Sequence, residues 1–274
     1  ASDASGVEYY FTCTSGGGND SGWQDSPTYV DSGLDDLTEY TYTVKARDKS
    51  FNQNETAESV PGSATTQDGT APTPDPATWS AVPSAISPTS ISMTATTASD
   101  PSGVEYYFTC TAGGGNDSGW QNNSTYVDTG LNDLTEYTYT VKVRDKSTNQ
   151  NEGAPSTAES ATTQDGTSPA PNPMTWATVP TGSGPTSITM TATTASDPSG
   201  VEYYFTCTAG GGHDSGWQDS TTYEDTGLAE LTQYTYIVRA RDKSSNQNIT
   251  TPSTPESAMT GDGSPPTPDP MTWA

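Results

Sequence analysis

Apolar and polar positions alternate along short runs of this chain. In Val7-Glu8-Tyr9-Tyr10-Phe11-Thr12-Cys13-Thr14, the residues Val7, Tyr9, Phe11 and Cys13 fall on every second position. A period of two predicts a strand with one apolar face, which makes each cysteine a small inward-facing residue, with a disulfide to a neighbouring chain as the alternative. Ser90 to Thr96 sets Ile91, Met93 and Ala95 against Ser and Thr, and Val104 to Thr111 repeats the first run. Tyr137 to Arg144 is the clearest case, with Tyr137, Tyr139, Val141 and Val143 expected inward. Asp100-Pro101-Ser102-Gly103 and Gly113 to Asp117 read as turns, the glycine run as a flexible one. Asp145 to Asn151 reads as a polar hairpin loop, and Ala158 to Thr163 as a closing strand. Short strands at regular spacing with no helical period indicate an all-β, antiparallel sandwich.

The runs recur. Cys13, Cys110 and Cys207 stand 97 residues apart, as do Trp23, Trp120 and Trp217, and Trp79, Trp176 and Trp273. A period of this length fits one small β-domain per copy. The expected organisation is a repeat over 1–66 lacking its first two strands, a linker over 67–76, a repeat over 77–163, a linker over 164–173, a repeat over 174–260, and over 261–274 a linker with the start of the next copy. The sequence carries no initiator methionine, signal peptide or stop-transfer segment, and is read as an excerpt of a longer chain. Prolines at alternating positions in Gln67 to Pro76 predict an extended, semi-rigid spacer.

Gly130-Leu131-Asn132-Asp133-Leu134-Thr135-Glu136-Tyr137-Thr138-Tyr139-Thr140-Val141 resembles the E to F passage of fibronectin type III domains, with Leu131 and Tyr137 at the tyrosine-corner positions. Asp-Pro-Ser-Gly-Val and Arg-Asp-Lys-Ser-Thr-Asn are similar to fibronectin-like modules of bacterial secreted chitinases, cellulases and adhesins. The resemblance implies tandem Ig-like/fibronectin type III β-sandwich domains; a generic Ig-like sandwich is the alternative. Ala95 stands where the family carries a strand-B tryptophan, leaving Trp79 and Trp176, or Trp120, to fill that volume.

Charge then narrows the partners. Nine Lys plus Arg face thirty-four Asp plus Glu, a net charge of −25, which makes phosphate neutralisation impractical and nucleic acid a poor partner candidate, so none is expected. An acidic, lysine-poor surface suits an extracellular or cell-surface setting and cations as counterparts. No stretch is apolar enough for a membrane-spanning segment. Sequons at Asn19, Asn54, Asn116, Asn122, Asn123 and Asn248 leave glycosylation open. Tyr10, Tyr107 and Tyr204, opposite the valine face, are candidates for stacking on glycans.

No enzyme is expected. The chain lacks a Ser-His-Asp arrangement, a zinc spacing and a phosphate loop, and its one histidine, His213, occupies a position that is Asn19 and Asn116 in the other copies. Loop oxygens point instead to calcium. In an Ig-type sandwich the B–C and F–G loops share one end, which gathers Asp100, Glu105, Asp145, Asn149 and Asn151. The same set recurs as Asp3, Glu8, Asp48, Asn52, Asn54 and as Asp197, Glu202, Asp242, Asn246, Asn248. Asp68, Asp75, Asp165 and Asn172 of the adjoining linkers are further candidates that would make the metal a stiffener of the joint. The expected function is a structural tandem-repeat rod or filament for adhesion or matrix, associating with flanking repeats or other copies of itself. The alternative is a non-catalytic spacer of a larger secreted carbohydrate-active enzyme.

Overall fold

The structure is a computed structural model whose described residues are 1–267; the end of the stretch expected to begin the next repeat, with Trp273, lies outside them. Strands come first as β1 (Val7–Ser15), β2 (Glu39–Asp48) and β3 (Gly62–Thr65), joined in one sheet in that order. Then follow β4 (Trp79–Ser87), β5 (Ser90–Ala95), β6 (Val104–Ala112), β7 (Trp120–Gln121), β8 (Thr125–Thr129), β9 (Glu136–Asp145) and β10 (Glu159–Thr162). They form two sheets, β4-β5-β8 and β10-β9-β6-β7. The pattern repeats in β11 (Trp176–Gly184), β12 (Ser187–Ala192), β13 (Val201–Ala209), β14 (Thr222–Thr226), β15 (Gln233–Asp242) and β16 (Glu256–Met259), as β11-β12-β14 and β13-β15-β16. Among the described residues there is no helix. By compactness the chain divides into two units, Ala1–Pro83 with Met93–Tyr126 and Thr138–Ser160, and Ser84–Ser92 with Val127–Tyr137 and Ala161–Ala274.

The third copy shows how alternation becomes a sandwich. Ile188 and Met190 of β12 meet Phe205 of β13 and Tyr236 and Val238 of β15 in one core, each of the five fully buried. Burying a side chain of this size contributes about 1.5–3 kcal/mol, so the apolar face fixes which way each strand turns. The corresponding positions of the second copy are buried as expected: Ile91, Met93, Ala95, Tyr137, Tyr139, Val141 and Val143. In the first copy, where only β1 to β3 are present, Tyr9 and Phe11 are half-buried while their counterparts Tyr106 and Phe108 are 3% and 0% exposed.

A tyrosine corner closes each copy. The Tyr234 hydroxyl accepts the Ala229 amide at 2.9 Å, Tyr137 that of Asn132 at 2.9 Å, and Tyr40 that of Asp35 at 2.8 Å. This bond back to the backbone a few residues upstream is a hallmark of the Ig-type sandwich. The place left by the small strand-B residue goes to the tryptophan ahead of it. Trp176 tilts against Phe205 at 6.0 Å and donates its Nε1 hydrogen to the Thr254 carbonyl at 3.0 Å; Trp79 does the same with Phe108 and Thr157. Trp120 and Trp217 instead lie on the outer face, edge-on to Tyr107 and Tyr204 at 5.3 Å, with Arg144 and Arg241 over their rings at 4.2 and 4.3 Å. The tyrosines read as glycan platforms are therefore already engaged in an aromatic and cationic stack.

Two local expectations change. The glycine run is constrained, because Gly210 has φ +98° and a Cβ there would stand 2.5 Å from the Gln233 carbonyl oxygen. The chain turns there with no room for a side chain. The cysteines are half-buried free thiols at the margin of the core, with Cys207 packed against it, rather than fully buried residues. A register shift follows each of them in the sheet, and each Sγ lies 3.1 Å from a backbone carbonyl oxygen two residues on.

Candidate functional site

The joint ahead of each complete copy gathers the most unusual chemistry. In the turn Asp100-Pro101-Ser102-Gly103, Asp100 Oδ1 accepts the Ser102 amide at 2.8 Å and its hydroxyl at 2.6 Å. This Asx turn fixes the carboxylate at the mouth of β6. Asp145 ends β9 fully buried; its Oδ1 accepts Ser147 N, Ser147 Oγ and Asn151 N, and its Oδ2 accepts Asn151 Nδ2 at 2.6 Å. The loop is wound around that side chain. Asp68 arrives from the segment after β3, with Oδ1 accepting the Thr70 amide at 3.1 Å.

One carboxylate oxygen from each of Asp68, Asp100 and Asp145 lies within 4.8 Å of the others, and Asp165, Asp197 and Asp242 repeat the arrangement. Asp68 and Asp165 are 3% and 4% exposed, and their Oδ2 atoms are buried without a hydrogen-bond partner. Among the described residues no ion pair reaches any of the six. Two like charges 4 Å apart repel by about 4 kcal/mol at an effective dielectric of about 20, so gathering three carboxylates is costly unless their charge is offset. A surface cleft of about 470 Å³, lined by Asp36, Asp68, Thr70, Thr73, Asp100 and Pro101, opens onto the first group.

Another carboxylate of the third copy provides the contrast. Asp225, 1% exposed, accepts the Tyr236 hydroxyl, the His213 amide and, with His213 Nδ1 in the donor tautomer, the imidazole, each at 2.8 Å. In the first copy Asn19 fills the role of that ring toward Asp31. His213 is thus a local hydrogen-bond partner.

The predicted site residues separate into three groups. Asp100 and Asp145, like Asp197 and Asp242, converge with a linker aspartate. Glu8, Glu105 and Glu202 do not join them: each is opposite an arginine in the antiparallel register, Glu105 facing Arg144, and pairs with it at 2.8 Å. Arg144 and Asp145 are successive strand residues, so their side chains leave opposite faces of the sheet and the glutamate follows the arginine. Asn149 and Asn151 turn their amide groups to the Asp68 carbonyl, Asn151 at 3.1 Å, and Asn246 and Asn248 do so to Asp165, Asn248 at 3.1 Å. In the first copy Asp3 holds its Ser5 turn, Asp48 accepts Asn54, and Asn52 is exposed.

The linker is docked along the next copy rather than standing as a free spacer. Thr73 pairs with Ser99, and Asp75 Oδ1 accepts the Ala154 amide at 2.6 Å, as Asn172 Oδ1 accepts that of Thr251 at 2.8 Å. On the other side Thr167 Oγ1 donates to Asp133 at 2.6 Å, and Thr70 donates to Asp36. Polarity and proline content alone did not reveal these partners: Ala154 and Thr251 lie 79 residues further along, Ser99 26 further along, and Asp36 and Asp133 34 residues back.

Three carboxyls of the first copy sit below the ordinary aspartate range: Asp31, mainly through the Tyr42 hydroxyl, Asp36 through Thr70, and Asp48 through Ser50. A depressed folded-state pKa contributes stability that is full above the unfolded value and is lost as pH falls through the folded one. The protection factors of the β1 and β2 amides, exchange rates divided by the intrinsic rate at each pH, are therefore expected to be unchanged from pH 7 to 5 and to fall as acid is added below pH about 4. A fall in protection already complete at pH 5 would show that these bonds do not set the acid limit.

The sheets, tyrosine corners and docked linkers define a tandem array of fibronectin type III-like β-sandwich repeats. No known family profile matches the chain. It is similar to exoglucanase B of Cellulomonas fimi, 33% identical over 237 residues, which cover 80% of this chain and 20% of that protein. The chain thus spans about a fifth of the length of the curated relative it matches. The crystal structure of chicken CNTN1 FN1–FN3 domains aligns over 94% of this chain and 89% of its own, with 15% identity and a TM-score of 0.33.

Proposed function

We propose that this chain is a non-catalytic extracellular structural segment, a tandem-repeat rod of a cell-surface adhesion or matrix protein. The observation supporting this reading is the joint: Asn149 and Asn151, and again Asn246 and Asn248, bind the carbonyl of the residue entering the linker, so both joints are held by the same contacts. Recurrence of the same clamp at both joints is what a regular array requires. Small-angle scattering is the test. Asn149→Ala with Asn246→Ala removes one hydrogen bond at each joint and is expected to cost each repeat only about 1 kcal/mol, yet to broaden the distance distribution of the 274-residue chain. An unchanged distribution would mean that these clamps do not set the joint. In this reading, electron microscopy of the full-length protein shows extended fibres, and dispersed short particles would speak against it.

A second reading is favoured by the likeness to exoglucanase B: the chain spaces the domains of a larger secreted carbohydrate-active enzyme. Both readings place it outside the cell and assign it no chemistry. In both, the 274-residue chain is expected to leave cellooligosaccharides intact, with product measured by reducing-sugar assay. Cellulose hydrolysis by the full-length protein would select the second.

A further inference from the structure

We infer that each joint binds one divalent cation of the calcium type, held by Asp68, Asp100 and Asp145 at the first joint and by Asp165, Asp197 and Asp242 at the second. Three observations meet there. The donor set is entirely carboxylate oxygen, converging within 4.8 Å, which suits a hard cation and offers nothing to a soft one. The Oδ2 atoms of Asp68 and Asp165 are buried and take no hydrogen bond, although buried polar atoms are otherwise nearly always paired. Asp225 shows how this fold satisfies a buried carboxylate when hydrogen bonds alone have to do it, with donors on both oxygens. The linker aspartates have no such donors on Oδ2, and a metal ion is the partner that fits all three side chains.

The hydrogen bonds already present leave room for it. Both bonds to the Asp100 side chain come from Ser102 and fall on Oδ1. The cleft beside Asp68 and Asp100 gives an ion access and space for the waters that complete a shell of six to eight oxygens. Because Asp68 stands at the start of the linker and Asp100 and Asp145 follow it, one ion ties the chain leaving one copy to the loops of the next. The binding site stands under either reading of the function. Only its consequence, a stiffer joint, rests on the structural reading.

Calorimetric titration of the 274-residue chain with calcium chloride tests this. Two equivalents are expected, with Kd of about 10⁻⁴ to 10⁻³ M, the range of extracellular modules. Asp68→Asn should leave one equivalent, and Asp68→Asn with Asp165→Asn none, while far-UV circular dichroism stays that of the parent. Should Asp68→Asn not fold, Asp197→Asn, on a half-exposed turn, gives the same readout at the other joint. Calcium should raise the thermal midpoint of the parent and not of the double variant. No saturable binding by the parent at about 5 mM calcium, five times the upper Kd, or two equivalents retained by the double variant, would overturn the assignment. Altered scattering without altered stoichiometry would concern the rod reading alone.

Discussion

Phe205→Ala is expected to lower the unfolding free energy of the third repeat by about 3–5 kcal/mol, a large share of the roughly 5–15 kcal/mol that a small domain has in total. Phe205 is fully buried between the two sheets, touched by Trp176 at 6.0 Å and stacked on Tyr223 at 5.6 Å. Removing the ring leaves a cavity that two hydrogen-bonded sheets cannot close. Denaturant unfolding followed by tryptophan fluorescence reads the effect, because Trp176 reports directly on this core. The matched change in the first copy, Phe11→Ala, should cost clearly less, since Phe11 is half-buried. Equal losses at the two positions would contradict the distinction between a two-sheet core and a single sheet.

The second large effect concerns the loop that carries the carboxylates. Asp242→Ala is expected to destabilise the third repeat by about 3 kcal/mol. Its side chain, 0% exposed, accepts two backbone amides, those of Ser244 and Asn248, and the side chains Ser244 Oγ and Asn248 Nδ2. The side-chain donors can turn to water. The amides cannot move without opening the hairpin, and a buried donor left unpaired costs about 1–3 kcal/mol. Thermal unfolding in the presence of chelator separates this structural cost from any contribution of a bound ion. A shift that vanishes in chelator would show that Asp242 acts through the metal alone.

These two residues also mark what could be read in advance. The inward set of β9 was legible because alternation over eight residues admits only one strand orientation, and the 97-residue period carried that reading to every copy. The Asp100 and Asp145 pairing was legible through the loop geometry of a sandwich. Glu105 was placed with them although it lies next to Val104 in a strand whose apolar face had already been assigned. Its cross-strand neighbour, Arg144, belongs to the opposite face from Asp145, and period two sends the glutamate there.

What the sequence by itself determined is local and periodic: strand faces, turn positions, the tyrosine corners, the repeat and the acidic balance of charge. Each follows from interactions between residues near in the chain or from a pattern copied unchanged. What only the tertiary structure decided depends on residues far apart meeting in space. Trp79 and Trp176 reach across to the strand-B gap, the cysteines fall beside a register shift, and Asn149 and Asn151 clamp a carbonyl more than 80 residues earlier. The buried, unpaired oxygen of Asp68 is of the same kind. Burial and the absence of a donor are properties of the packed neighbourhood, and an aspartate in a polar, proline-rich linker gives no sign of either until the linker has docked.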